Sequence, residues 1–192
     1  ARKGRESEIL VPPLLMANWY RQRGDFENLA KWIETASRDH SKDKNVQVEY
    51  ARWLVEQQKL SKANIWIANA EKNGANEIAT TFMKGQIAFI KQNYDVAELH
   101  FSRIHTSQPG NLDANNLLAL SLVESNNPAK QRRALELAKI GVGMARNNTA
   151  ANSVLGWVLY RMGNTQAAGQ QLNPVSQQRR LSPESAYFVA QF

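Results

Sequence analysis

The sequence has no cysteine, three histidines, six prolines and ten glycines in 192 residues. Without cysteine there are no disulfides, no thiol catalysis and no thiolate-bound zinc or iron–sulfur cluster. The compartment stays open, because a cysteine-free chain folds in either redox setting. No stretch reaches the roughly 18 apolar residues that would span a bilayer, and the opening residues show no signal-peptide pattern. The chain starts with Ala1 rather than Met, which fits removal of residues before it. His100 and His105 lie five apart, not at the i,i+4 spacing that puts two ligands on one helix face. Asp39, Asp43, Glu49 and Glu56 form no defensible acid–base pair, and phosphate-loop, nucleophile-elbow and dinucleotide fingerprints are all missing. The expectation is a non-enzyme without cofactor or metal.

What is present is a repeat. Trp19 and Trp53 are 34 positions apart, and so are Trp32 and Trp66. Ala17, Ala51, Gly85 and Ala119 keep the same step with small residues; Phe26, Leu60 and Tyr94 keep it with large ones. Ile33, Ile67 and Phe101 repeat, as do Ala36, Ala70 and Ile104. A further copy, with Leu155, Gly156, Gly163 and Ala168, follows at 37, and the three extra residues are expected near Asn126–Lys130. Within each unit apolar residues recur every three or four positions, a helix stripe. The unit is therefore two short antiparallel helices, and small residues let their backbones approach. One such hairpin cannot bury its apolar face alone, so stacked copies build a linear core.

These residues resemble the tetratricopeptide repeat. The third unit carries Gly85, Tyr94, Ala97, Phe101 and Pro109 where that pattern asks for them, and the first is looser, with Leu29 in place of Ala. The resemblance implies an all-α, right-handed α-solenoid of stacked helix-turn-helix units. The units are expected at about 10–43, 44–77, 78–111, 112–148 and 149–182, after a basic lead-in at 1–9. Two features are expected to disturb the array: Gly141 and Gly143 weakening one helix, and Pro174 kinking or splitting another. Residues 183–192, opened by Ser182-Pro183, read as a terminal helix or as the start of a sixth unit cut short; their apolarity favours the second.

The resemblance also implies a concave groove lined by the first helices. Its geometry points to Asn18, Arg21, Asn45, Arg52, Phe82, Gln86, Phe89, Asn116, Leu120, Trp157, Tyr160 and Arg161 as partner-binding residues. Amides would hold a peptide backbone and aromatic rings its apolar side chains. The clamp for chaperone tails is absent, since Leu14, Ala79 and Met83 stand at its basic positions. The expected function is a protein–protein interaction scaffold taking a peptide or helix. The alternatives are a basic helical-repeat RNA-binding protein or a module self-associating through the array ends. The formal charge of +7 invites the RNA reading, but no basic stripe recurs once per unit, so nucleic acid is disfavoured. Asn and Gln together make 32 of the residues, 18 and 14, with no pattern that assigns them.

Overall fold

The computed structural model describes residues 10–145 and 147–192. The basic lead-in expected at 1–9 lies outside the described residues. All regular secondary structure among them is helical. The chain divides into two compact units, residues 1–83 and 84–192.

The first unit holds α1 (Pro12–Arg23), α2 (Phe26–Asp39), α3 (Lys44–Glu56) and α4 (Leu60–Lys72). They form two antiparallel hairpins, α1 with α2 and α3 with α4, and α2 packs on α3. Leu14, Ala17, Leu29, Ile33, Ala36, Val46, Ala51, Leu54, Ala63, Ile67 and Ala70 are buried, the three-and-four stripe read from the sequence. Helix α5 (Glu77–Ile90) contributes its first half to this unit and its second half to the next.

The second unit continues with α6 (Tyr94–Ser107), α7 (Leu112–Val123), α8 (Pro128–Met144), α9 (Thr149–Arg161), α10 (Thr165–Ser176) and α11 (Pro183–Gln191). Hairpins α7–α8 and α9–α10 stack through α8 and α7 against α9. Helix α11 packs on α9 and α10, as α9 packs on α7 and α8. It thus takes the place of a first helix in a further hairpin.

Capping explains why the helices start where they do. The side chains of Asn93, Asn111, Asn127, Asn148 and Asn164 each accept a backbone N–H in the first turn that follows. Asn76 does the same for Ile78 and Ala79, and Asp25 and Asp43 cap α2 and α3. Six of the 18 asparagines are thus helix starts, which accounts for part of the amide excess. Two buried amides add another part. The Gln47 side chain donates to the Ser41 carbonyl at 2.8 Å, and Asn115, two periods later, donates to the Pro109 carbonyl at 2.7 Å. Both tie the first helix of a hairpin to the loop before it. His105 Nδ1 meets the Asn115 oxygen at 2.7 Å, so this histidine has a structural partner.

Three sequence expectations need correction. The extra residues do not fall near Asn126–Lys130. The caps Asn93 and Asn127 keep the 34-residue step, and it is Asn127 to Asn164 that spans 37. The insertion lies inside α8, which has 17 residues against 14 in α6. Gly141 and Gly143, expected to weaken that helix, leave it continuous as far as Met144. A Cβ on Gly141 would lie 3.1 Å from the Asn116 oxygen and 3.3 Å from Leu112 Cδ1, so the bare backbone is what lets α8 close on α7. Finally, Pro174 does not split α10, which continues to Ser176. The proline falls in the last turn, so the hydrogen bond it removes lies near the helix end and only two residues follow it in the helix. There the Ser176 hydroxyl closes onto the Asn173 carbonyl at 2.7 Å.

The seam between paired helices shows why small residues recur. A Cβ on Gly85 would come within 2.6 Å of the Phe101 ring, and one on Gly156 within 2.5 Å of Leu172 Cγ. Both distances lie well inside van der Waals contact, so these glycines are required by packing.

Candidate functional site

The sequence-derived groove residues separate into two groups. In the first unit Arg21 pairs with Glu56 at 2.6 Å, linking α1 to α3. Its Nε is buried without a hydrogen-bond partner. Arg52 is exposed and pairs along its own helix with Glu49 at 3.3 Å. Asn45 and Asn18 are half-buried, and the Asn45 backbone N–H is taken by the Asp43 cap. Phe82, half-buried on α5, also falls in this unit.

In the second unit five of the expected residues come together. Gln86 and Phe89 from α5, Leu120 from α7, and Trp157 and Arg161 from α9 line one cavity of about 480 Å³. Three successive first helices therefore supply it. Ile90 and Leu117 extend the apolar wall, and Gln92 and Tyr94 close it from the turn into α6. The far wall comes from α11, through Pro183, Glu184, Tyr187 and Phe188.

Two expected residues stand apart from this cavity. Asn116 is buried, and its side-chain oxygen faces the Gly141 backbone without a partner. Tyr160 is half-buried against the Trp157 and Phe192 rings. Trp157 itself differs from the open anchor that was expected. It is 7% exposed, because Phe188 stacks on it at 4.9 Å and 17°. Only part of its ring reaches the cavity, and Leu120 is similarly buried. Phe89 and Tyr94 are half-buried and Tyr187 is exposed, so these three present the accessible rings.

Charge in the cavity is organised around Glu124. Its carboxylate pairs with Arg161 and accepts a 3.4 Å bond from the Trp157 indole N–H. The Arg161 guanidinium carbon lies 5.6 Å from the Trp157 ring centre. The Tyr94 phenol is raised above its ordinary range, first by burial and then by the Glu124 carboxylate, with Arg161 opposing. The helix α11 is pinned by polar contacts as well as rings. The Ser153 hydroxyl donates to the Ser185 hydroxyl at 2.9 Å, both buried.

The α11 wall was missed from sequence. The signal available was the Ser182-Pro183 start, followed by the apolar run of Tyr187, Phe188 and Val189. Among the described residues, no group of three His, Asp or Glu side chains could hold a metal ion, and no helix is long and apolar enough to cross a membrane.

No family model matches the sequence, and no curated protein does. Solved structures do resemble it. MamA from Desulfovibrio magneticus RS-1 is 15% identical, with a TM-score of 0.63 over 86% of this chain and 92% of that one. PilF of Pseudomonas aeruginosa is also 15% identical, with a TM-score of 0.64 over 92% of this chain and 79% of that one. Both are proteins of tetratricopeptide repeats. At this identity the likeness shows the fold, which is the all-α helical-repeat fold of that class.

Proposed function

We propose that the chain is a protein–protein interaction module that holds a partner peptide or helix in the cavity of its second unit. The observation that carries this is the convergence of Gln86, Phe89, Leu120, Trp157 and Arg161, from three first helices, on one concave surface. An apolar wall with a few amide and charged groups suits side-chain docking with backbone hydrogen bonds at the edge. The Glu124 carboxylate in that cavity is held by Arg161 and the Trp157 indole N–H rather than set against a nucleophile, which favours binding over catalysis.

The test uses the accessible rings. Phe89→Ala and Tyr187→Ala together remove two of the three accessible rings that line the cavity and leave Phe188 stacked on Trp157. The expected result is that proteins captured by the wild-type chain from its native lysate are lost to the double variant, with helical circular dichroism unchanged. Retention of the same proteins by a folded double variant overturns the cavity as the binding site.

A further inference from the structure

The chain as a whole carries a formal charge of +7. Its cavity has the opposite character. Two carboxylates line it, Glu124 and Glu184, against one cation, Arg161. Arg161 is already engaged by Glu124. Glu184 sits in the first turn of α11, exposed, and is one of the residues that line the cavity. The local balance is one negative charge in excess.

The remaining wall is aromatic. Phe89, Tyr94, Trp157, Tyr187 and Phe188 all line the cavity. They are arranged edge-to-face and in tilted or stacked pairs: Phe89 with Tyr94 at 5.6 Å, Trp157 with Tyr187 at 5.7 Å, and Trp157 with Phe188 at 4.9 Å. Ring faces are electron-rich and attract cations, indole most strongly. Aromatic walls with excess carboxylate are complementary to a cation, while a plain apolar side chain would leave Glu184 unused.

The choice among cations follows from shape. A guanidinium is planar, weakly hydrated and able to stack on a ring while its edge donates to a carboxylate. The molecule already sets a guanidinium over an indole twice: Arg161 over Trp157, where the same guanidinium pairs with Glu124, and Arg23 at 4.0 Å over Trp19. A lysine ammonium is more strongly hydrated and cannot stack.

Resting on the peptide-binding reading above, we infer that the cavity recognises an arginine side chain of the partner, flanked by apolar residues that dock on the Phe89 and Ile90 wall. The test is fluorescence anisotropy on the full chain with three labelled short peptides. One has a single arginine flanked by leucines, the second has citrulline in its place, and the third has leucine. Citrulline keeps the shape and removes the charge. The arginine peptide is expected to bind about tenfold or more tightly than the citrulline one. Glu184→Gln, an exposed substitution that leaves the packing alone, should narrow that gap, as should added salt. Equal affinities for the arginine and citrulline peptides overturn the arginine assignment and leave the peptide groove standing. Binding by none of the three overturns both.

Discussion

In the second hairpin, Ala51 precedes Ile67 by sixteen positions; in the third, Gly85 precedes Phe101 by the same interval. These are the same two places in the repeat, filled differently in the two units of the molecule. Where the facing residue grows from isoleucine to phenylalanine, the small residue loses its methyl. The last hairpin also has glycine there, Gly156 against Leu172, whereas the hairpin between them keeps Ala119 at this place. The groove side differs as well. The first unit closes its first helices with an open ion pair, Arg21 to Glu56, with the Glu56 side chain 42% exposed. The corresponding pair in the second unit, Glu124 and Arg161, lies beneath an indole, with the Glu124 side chain only 14% exposed. One repeat plan thus yields an exposed ion pair between first helices in one region and, in the other, a largely buried pair beside an aromatic-lined cavity. The difference arises from a few positions rather than from a change of architecture.

Tryptophan gives the sharpest way to break this comparison. Trp157 is 7% exposed and stacked under Phe188, whereas Trp19 is 45% exposed and touches Tyr20 and Arg23. Trp157→Ala removes a buried ring that holds α11 against α9, and should cost about 3–5 kcal/mol in urea unfolding. Trp19→Ala should cost under about 1 kcal/mol. Similar losses for the two would mean that the second unit gains nothing from closure by α11.

The seam offers the next largest effect. Gly85→Ala places a methyl 2.6 Å from the Phe101 ring. Overpacking of this kind costs about 1–3 kcal/mol, partly offset by about 1 kcal/mol of helix propensity. The informative variant is the pair Gly85→Ala with Phe101→Ile, which rebuilds the combination found at Ala51 and Ile67. The pair should recover most of what Gly85→Ala loses relative to Phe101→Ile alone. A double-mutant cycle with no coupling would show that glycine is not there to admit the ring.

This seam also shows what the sequence could reveal. The 34-residue step was legible because packing forces small and large residues to alternate at fixed intervals: Ala17, Ala51, Ile33, Ile67 and Phe101 are buried where it puts them, whereas Phe26 and Trp19 keep the step but stay exposed. Local geometry was less legible. The three-residue insertion was placed near Asn126 and Asn127 because turn formers cluster there, yet Asn127 is a helix cap in register with Asn93. A longer helix absorbs extra residues without any turn signal. The cavity was half legible. Family geometry named Phe89, Trp157 and Arg161, because first helices face one side. It could not show that Phe188 would cover Trp157, since that depends on where α11 lands.

The smallest effect concerns the turn within each hairpin. Gly24, Gln58 and Gln92 occupy the same place, one period apart, with φ of 69°, 55° and 58°. Left-handed backbone suits glycine and costs a side-chain-bearing residue roughly 1–2 kcal/mol. Glycine in turn loses about 0.5–1 kcal/mol through its freer unfolded chain. Gln58→Gly in the first unit and Gln92→Gly in the second should therefore each stabilise by about 0.5–1 kcal/mol, a rise in Tm of a few degrees at most for a chain of this size. If the two regions differ only in seam and cavity, the two gains should match. Gln92 also lines the cavity, while Gln58 lies in the first unit. A gain at Gln58 with none at Gln92 would mean that the Gln92 side chain stabilises the closed cavity wall, and the contrast between the regions would then extend to their turns.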